Sequence, residues 1–262
     1  MMKQDNSIRI TFDEVALLYK EARPHYPNEL FSTLINVTSL NKTSKLLEIG
    51  PGTGQATKPM ALKGFDITGI ELGPTLSEVS RNELREYKNV QILTSAFEDI
   101  ALPTKSYDLV FAATSFHWID PYIKYSKTHT LLKDKGHLAI IHTNHISDEK
   151  GDEFFNASQP IYDFYNFTDK LQAPKLPNNN ELQPSCIDEN LFRLKYFQLF
   201  PIIITYSAKK FVNLLNTFSN HLVAKKEIQY GFYGEIEDLI NRKFDGEIDK
   251  HFSMSLTVAE KL

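Results

Sequence analysis

Three glycines at alternate positions, Gly50, Gly52 and Gly54, have the clearest chemical meaning, because they follow a short apolar run that ends at Ile49. Glycine permits a tight turn and lets a ligand approach the backbone closely. The helix predicted after this turn begins with N–H groups that have no partner within the helix. The acidic Glu48 before the turn disfavours a pyrophosphate and suits a positively charged ligand. The pattern favours a ligand-binding turn over a plain strand-to-helix connection.

A second acid, Glu71, ends the next predicted strand, 17 residues after Gly54. In nucleotide-binding α/β folds, an acid about 20 residues beyond the glycines accepts hydrogen bonds from ribose hydroxyls. The loop after the third predicted strand is expected to lie against an adenine ring through Ala96 or Phe97, with a core position for Phe97 as the alternative. Gln55 stands where the dinucleotide fingerprint requires its third glycine, which disfavours a nicotinamide cofactor.

The loop after the fourth predicted strand carries Thr114, Phe116, His117 and Trp118 at the end of the sheet where open α/β folds bind ligands. Thr114 and Phe116 are expected to contact a cofactor. His117 could bind a substrate or take a proton from it, or it could pack the loop against the next helix. Trp118 could wall a pocket, although packing is the favoured interpretation. The other seven histidines lack metal-ligand spacing, so no metal site is predicted.

Strand and helix signals alternate between residues 44 and 142, which predicts parallel strands joined by right-handed crossovers. The predicted strands are 44–49, 65–71, 90–94, 107–112 and 136–141. After residue 143, the sequence predicts an aromatic-rich helix, an extended segment at 192–206, helices at 208–218 and 234–244, and a strand at 252–258. The predicted fold class is α/β, a doubly wound, mostly parallel, Rossmann-like sheet with a helical insertion.

Composition excludes several functional classes. Of 262 residues, 42% are hydrophobic, enough for one α/β domain with a sizeable core. The formal net charge is -4 and no basic cluster stands out, so nucleic-acid binding is not expected. No apolar run approaches the roughly 20 residues of a membrane helix. Cys186 is the single cysteine, which fits a reducing compartment. We predict a cytoplasmic protein with a small-molecule partner and no membrane attachment; the oligomeric state is not predicted.

Residues 44–142 resemble the class I S-adenosylmethionine-dependent methyltransferases, a family with a seven-stranded doubly wound sheet. Three motifs are similar to its trans-aconitate-type, or methyltransferase type 11, branch of small-molecule enzymes. They are Tyr19 with the run 23–27, the run 52–57 and the run 115–120. The resemblance implies S-adenosylmethionine as cofactor. It implies a contact set of Glu48, Gly50, Pro51, Gly52, Gly54, Gln55, Glu71, Leu72, Ala96, Phe97, Thr114 and Phe116.

The same resemblance implies four regions along the chain. These are an N-terminal helical lid (1–43), a cofactor-binding core (44–142), a substrate-lid insertion (143–190), and the remainder of the sheet with C-terminal helices (191–262). Tyr19 and Arg23 are expected to close over the cofactor, with Arg23 meeting a carboxylate of cofactor or substrate. The aromatic residues of the insertion are candidate pocket walls, with ordinary packing as the alternative.

The predicted reaction moves a methyl group to an oxygen of a small molecule, for example a carboxylate, or to another nucleophile. A carboxylate needs no base, whereas a hydroxyl would use His117. The loop after the fourth strand lacks an Asn-Pro-Pro-Tyr run, which disfavours methylation of adenine amino groups. Two alternatives stay open. One is a non-catalytic S-adenosylmethionine-binding or interaction module on this fold, and the other, less favoured, is a nicotinamide-dependent oxidoreductase.

Overall fold

The computed structural model describes residues 12–147, 153–167 and 177–262. Its strands are β1 (Lys45–Ile49), β2 (Asp66–Glu71), β3 (Val90–Thr94), β4 (Tyr107–Ala113), β5 (Leu132–His145), β6 (Phe192–Ser207) and β7 (Glu247–Lys261). Its helices are α1 (Ala16–Ala22), α2 (Asn28–Thr38), α3 (Thr57–Ala61), α4 (Pro74–Glu83), α5 (Lys124–Leu131), α6 (Glu153–Phe164), α7 (Ala208–Leu215), α8 (Ser219–Leu222) and α9 (Lys226–Lys243).

The seven strands form one sheet in the order β3-β2-β1-β4-β5-β7-β6. The first five strands pair in parallel, and β7 runs antiparallel to both β5 and β6. The predicted seven-stranded, mostly parallel α/β fold is therefore confirmed. Strand order reverses between β1 and β4, and ligands of open α/β sheets bind beyond the carboxyl ends of the strands at such a point.

Alternating side chains of β1 enter two apolar cores, one on each face of the sheet. Leu46 packs in the core that contains Leu30 and Phe31 of α2. Leu47 points the other way, into the core that contains Val110 and Leu131. Burial of both faces explains why this strand reads as a continuous apolar run in the sequence. The central strands are thereby fixed, and the loops at their carboxyl ends start from rigid positions.

Three elements, β5, β7 and α9, are clearly longer than predicted. β5 extends four residues further at each end than the predicted 136–141, because its first residue, Leu132, pairs with Tyr107 of β4 and its last residue, His145, pairs with Phe252 of β7. α9 begins at Lys226 rather than at 234. Gly231 lies inside this helix, where a Cβ atom would stand 2.6 Å from the Tyr165 hydroxyl, so the glycine allows α9 to pack closely against that residue.

Within the described residues, no helix combines the length and the apolar character needed to cross a bilayer.

Leu109 in β4 is fully buried, whereas Leu194 in the edge strand β6 is 44% exposed. We predict that Leu109→Ala lowers the free energy of unfolding by about 2–5 kcal/mol, because it leaves a cavity between packed layers. The matched substitution Leu194→Ala is expected to change it by less than about 1 kcal/mol. Urea unfolding of both variants measures this, and equal losses would contradict the assigned core.

Candidate functional site

A pocket of about 490 Å³ opens at the carboxyl ends of β1, β2, β4 and β5. It brings together residues that the sequence places far apart. The predicted site residues that line it are Tyr19, Arg23, Gly50, Gly52, Glu71, Leu72, Phe97, Thr114, His117 and Trp118. Its size falls in the range of small-molecule and cofactor sites.

The turn after β1 requires glycine for two different reasons. Gly50, Gly52 and Gly54 all have positive φ angles, of 68°, 58° and 85°. A Cβ atom at Gly50 would stand 2.6 Å from the Cβ of Ser115, so no side chain fits there. A Cβ atom at Gly52 would meet no heavy atom within 4 Å, so the turn is open beside this residue. The backbone of the turn is therefore accessible from the pocket at Gly52.

Glu71 lies at the end of β2 and fastens two loops to each other. One carboxylate oxygen accepts the Gly52 N–H at 2.8 Å, and the other accepts the Gly73 N–H at 3.0 Å. Burial raises the pKa of Glu71, while these backbone hydrogen bonds oppose the rise. Because each carboxylate oxygen has two lone pairs, both oxygens keep acceptor capacity toward the pocket.

Glu48 lies beneath the turn and does not line the pocket. Its side chain is fully buried, and neither oxygen has a hydrogen-bonding partner of good geometry. Burial raises its pKa to about 8; the neighbouring Thr57 hydroxyl lowers it, and the Glu71 carboxylate adds to the rise. A positive charge placed in the pocket would favour the ionised form of Glu48.

Five other predicted contact residues lie outside the pocket wall and support it. Pro51 packs against Gly69, Gly54 faces α4, and Phe116 is buried in a core with its ring 5.3 Å from that of Tyr125. The Gln55 amide donates to the Lys20 carbonyl at 3.3 Å, which ties the turn to α1. The Ala96 carbonyl accepts the N–H groups of Asp99 and Ile100, which closes the loop after β3.

His117 and Trp118 both line the pocket, from the short turn after β4. Their neighbour is His142 of β5, whose ring centroid lies 5.7 Å from that of His117. Burial, His142 and Lys124 together lower the pKa of His117 to about 4, so its imidazole is neutral near pH 7. Burial and Lys124 also lower the pKa of His142. Trp118 lines the pocket and also packs against Phe12, with ring centroids 5.7 Å apart, so both interpretations describe part of its position.

Arg23 also lines the pocket, and several contacts hold its side chain in place. Its guanidinium donates to the Thr217 hydroxyl at 2.8 Å and to the Thr217 carbonyl at 2.6 Å. The Tyr19 and Phe218 rings lie 4.9 and 4.7 Å from its central carbon. Both of these hydrogen-bond acceptors are uncharged, and no described carboxylate forms an ion pair with Arg23. Arg23 is therefore a positioned cation that faces the pocket.

The N-terminal segment is fastened across the site by polar contacts. Asp13 accepts the Leu76 N–H at 2.7 Å, which caps the first turn of α4 from a distant part of the chain. Lys20 and Glu83 form an ion pair at 2.7 Å. These contacts keep α1 against α4, with Tyr19 over the pocket.

Sequence reasoning missed part of the pocket wall. His142, Thr143 and His145 line it because β5 continues beyond its predicted end, and Phe218, Ser219 and Asn220 line it from the beginning of α8. Open α/β sheets bind ligands at the carboxyl ends of their strands, so a longer predicted β5 would have included the first three of these residues. Among the described residues, no cluster of three acidic, histidine or cysteine side chains could hold a metal ion.

The aromatic residues of the predicted lid insertion pack elsewhere. Phe154 contacts Phe211 of α7, with ring centroids 5.1 Å apart, and Tyr162 contacts Phe232 of α9 at 4.8 Å. No residue of α6 lines the pocket. The described aromatics of this helix therefore follow the packing alternative. A substrate-selecting role for the whole insertion stays a prediction, as do the four region boundaries, and residues 148–152 and 168–176 lie outside the described part.

Comparison with known proteins identifies related sequences. Residues 47–140 match a family model described as a methyltransferase domain, type 11. The chain is 28% identical over 197 residues to a provisionally named methyltransferase from Dictyostelium discoideum, covering 65% of this chain and 73% of that protein. It is 28% identical over 132 residues to an uncharacterised methyltransferase from Mycobacterium tuberculosis, and spans about half of that protein's length (51%).

Among solved structures, a provisionally named type II methyltransferase from Anaeromyxobacter dehalogenans superposes with a TM-score of 0.63 at 18% identity. The match covers 90% of this chain and 97% of that chain. At this identity the likeness shows the fold alone. The sequence relatives favour methyl transfer over the nicotinamide-dependent alternative.

The buried Glu48 carboxyl gives a pH-dependent prediction. Its pKa rises from an ordinary value of 4.5 to about 8 in the folded protein, so the folded state binds the proton more tightly than the unfolded chain does. Stability must therefore fall as the pH rises from about 4.5 to about 8, by at most about 1.4 kcal/mol per pH unit from this group. Glu48→Gln removes the titration and is expected to flatten the decline. Urea unfolding between pH 5 and pH 8 measures it.

The matched control is Glu86→Gln, an exposed position at which the wild-type pH profile is expected. An unchanged profile in Glu48→Gln would contradict the assignment.

Proposed function

We propose that the chain, whose residues 47–140 match a methyltransferase domain of type 11, uses S-adenosylmethionine to methylate an oxygen of a small molecule. One observation carries the proposal: the carboxylate of Glu71 and the open turn at Gly52 face the same pocket and are bonded to each other. A nucleoside with a charged substituent could use both features, because an acid at this place accepts ribose hydroxyls and the open turn leaves room for the substituent. The cofactor's identity, the acceptor and the roles of single residues are parts of this proposal.

The residues present fit this cofactor. The turn leaves free space where a Cβ at Gly52 would stand, and the buried Glu48 carboxylate, with no hydrogen-bonding partner of good geometry, lies beneath it. Burial raises the pKa of Glu48 to about 8, so a positively charged ligand above it would favour the ionised form of the side chain and gain an opposite charge where water is excluded. When bound, S-adenosylmethionine supplies a methyl group already activated by its sulfonium centre.

In the proposed arrangement, Glu71 receives the ribose hydroxyls with the acceptor capacity that its two backbone bonds leave free. Leu72 lines the pocket next to Glu71 and suits an adenine ring, whereas Phe97, also at the pocket, is 2% exposed and belongs mainly to the core, as the alternative interpretation had it. Gly50, Gly52 and Thr114 then face the methionine end. This order follows the strands β2, β1 and β4 across the sheet.

The charges around the pocket support an acceptor that carries negative charge. Among its described lining residues, Glu71 is the one acid and Arg23 the one permanent cation. Three histidines, His117, His142 and His145, also belong to the pocket wall, and burial lowers the pKa of each. A carboxylate acceptor fits this wall, since a guanidinium and neutral imidazoles can donate hydrogen bonds to it.

The lowered pKa of His117 also bears on the reaction. A general base works best when its pKa lies near the working pH, and a value of about 4 is far below it. A carboxylate nucleophile is already ionised and needs no base. We assign His117 the role of orienting the acceptor by a hydrogen bond, in preference to the base that a hydroxyl acceptor would need.

The remaining work of the protein is to hold the reactants together and exclude water. Aromatic side chains from separate elements, Phe12, Tyr19, Trp118 and Phe218, surround the reacting end of the pocket. Orientation of two reactants in such a site can lower the barrier by about 7–11 kcal/mol. No step requires proton transfer when the acceptor is a carboxylate.

Methyl-labelled S-adenosylmethionine tests this function. The protein is incubated with it and with matched pairs of small carboxylic acids and their amides. We expect label in the acid but not in the amide, in a product that mild alkali hydrolyses, as a methyl ester requires. Label in an alkali-stable product of a phenol or amine would contradict the carboxylate assignment. No transfer to any small molecule in the panel would contradict the proposed function.

A further inference from the structure

Thr114 has a backbone conformation that threonine rarely adopts. Its φ angle is 58°, in the left-handed region, where a β-branched side chain is strained. The residue follows the last residue of β4 and lines the pocket. Strain of this kind persists only where surrounding contacts impose it, and it concentrates at functional sites.

Three contacts impose this conformation. The Thr114 N–H donates to the Ile141 carbonyl at 2.8 Å, which fixes the backbone from β5. Its hydroxyl lies 3.0 Å from the Tyr26 hydroxyl and 3.5 Å from the Thr143 hydroxyl. Thr114 and Thr143 both line the pocket, so the three hydroxyls form a chain from the N-terminal segment to the pocket wall.

Tyr26 is itself held in place. It lies between Pro24 and Pro27, whose rings restrict the backbone, and its ring packs edge-on against the buried Phe31 at 6.1 Å. Burial raises the pKa of Tyr26 above its ordinary value, so the hydroxyl keeps its proton. It is a fixed neutral group that can donate to or accept from Thr114.

The conformation of Thr114 also determines where the next residue lies. Ser115 contacts the glycine turn, so that a Cβ at Gly50 would stand 2.6 Å from its own Cβ. The Ser115 hydroxyl donates to the Ile49 carbonyl. A change at Thr114 is therefore transmitted to the turn that faces the cofactor.

We propose that Tyr26 and Thr143 are positioning residues, which hold Thr114 in its left-handed conformation and thereby fix the glycine turn for cofactor binding. This inference rests on the proposed function, because it assigns these hydroxyls to the S-adenosylmethionine site. It also gives a role to Tyr26, a residue of the 23–27 motif for which the sequence alone indicated no function.

Calorimetric titration with S-adenosylhomocysteine tests it. Tyr26→Phe is expected to weaken binding about fivefold to tenfold, the effect of one hydrogen bond. Thr114→Val, which keeps the shape but lacks the hydroxyl, should weaken it at least as much, and Thr114→Ser should lose less. The double variant Tyr26→Phe/Thr114→Val should bind no more weakly than Thr114→Val alone, because both changes remove the same contact.

Thr114→Gly separates positioning from stability. Glycine adopts a positive φ without strain, so the melting temperature of the variant should equal or exceed that of the wild type. The affinity of the variant for S-adenosylhomocysteine should nevertheless fall, because the hydroxyl is lost. A residue with a purely structural role would lose both together. If the melting temperature and the affinity of Thr114→Gly both fall, as for a residue with a purely structural role, the inference is overturned.

Tyr165→Phe is the matched control, since its hydroxyl donates to Glu235 at 2.9 Å away from the pocket. Its affinity should equal that of the wild type. If the wild type binds S-adenosylhomocysteine and Tyr26→Phe binds it equally well, the inference is wrong while the proposed function stands. The same holds if the loss of affinity in the double variant equals the product of the two single losses. Absence of wild-type binding would overturn the proposed function, and this inference with it.

Discussion

The carboxylate of Glu71 joins the two loops on which the pocket depends. Its oxygens bind the N–H groups of Gly52, in the turn after β1, and of Gly73, at the start of α4. Asp13 caps the same helix from the N-terminal segment. A single buried acid thus connects the glycine turn, the second strand and, through α4, the segment that crosses the pocket. Buried carboxylates are stable only when donors surround them, and here the backbone supplies those donors.

The charges around the pocket are arranged in two groups. Two buried acids, Glu48 and Glu71, lie near the glycine turn; burial raises the pKa of both, so a cation bound beside them would favour their ionised forms. Arg23 and the neutral histidines His117 and His142 lie on the other walls. Such an arrangement favours a cationic donor beside the turn and an anionic acceptor opposite it. Attraction between the two bound reactants would then assist their approach, in addition to the orientation that the walls impose.

The sheet and the glycine turn could be predicted from local signals, because alternating elements and positive-φ glycines leave a direct trace in the sequence. The end of β5 could not, since its last residues depend on pairing with β7, more than a hundred residues later. The same limit applies to Phe218, which reaches the pocket only through tertiary packing. Phe116 follows the pocket residue Ser115 but is buried in a core, and Gln55 binds α1, so neither lines the pocket in which sequence position placed it.

The strain at Thr114 shows how an N-terminal motif takes part in a site built mainly on strand ends. Sequence spacing gives no indication that Tyr26 reaches β4, because the two are 88 positions apart. The proline-restricted segment before α2 places the hydroxyl, and the sheet places Thr114. Cofactor binding is thereby linked to the correct docking of the N-terminal segment on the sheet.

Calorimetric titration of the wild-type chain with S-adenosylmethionine, and separately with NAD, tests the central claim most directly. We expect the chain to bind S-adenosylmethionine with a dissociation constant in the micromolar range and not to bind NAD. In Glu71→Gln the affinity should fall by about tenfold to hundredfold, the effect of lost hydrogen bonds to a charged group. Failure of the wild-type chain to bind S-adenosylmethionine, or binding of NAD that is lost in Glu71→Gln, would contradict it.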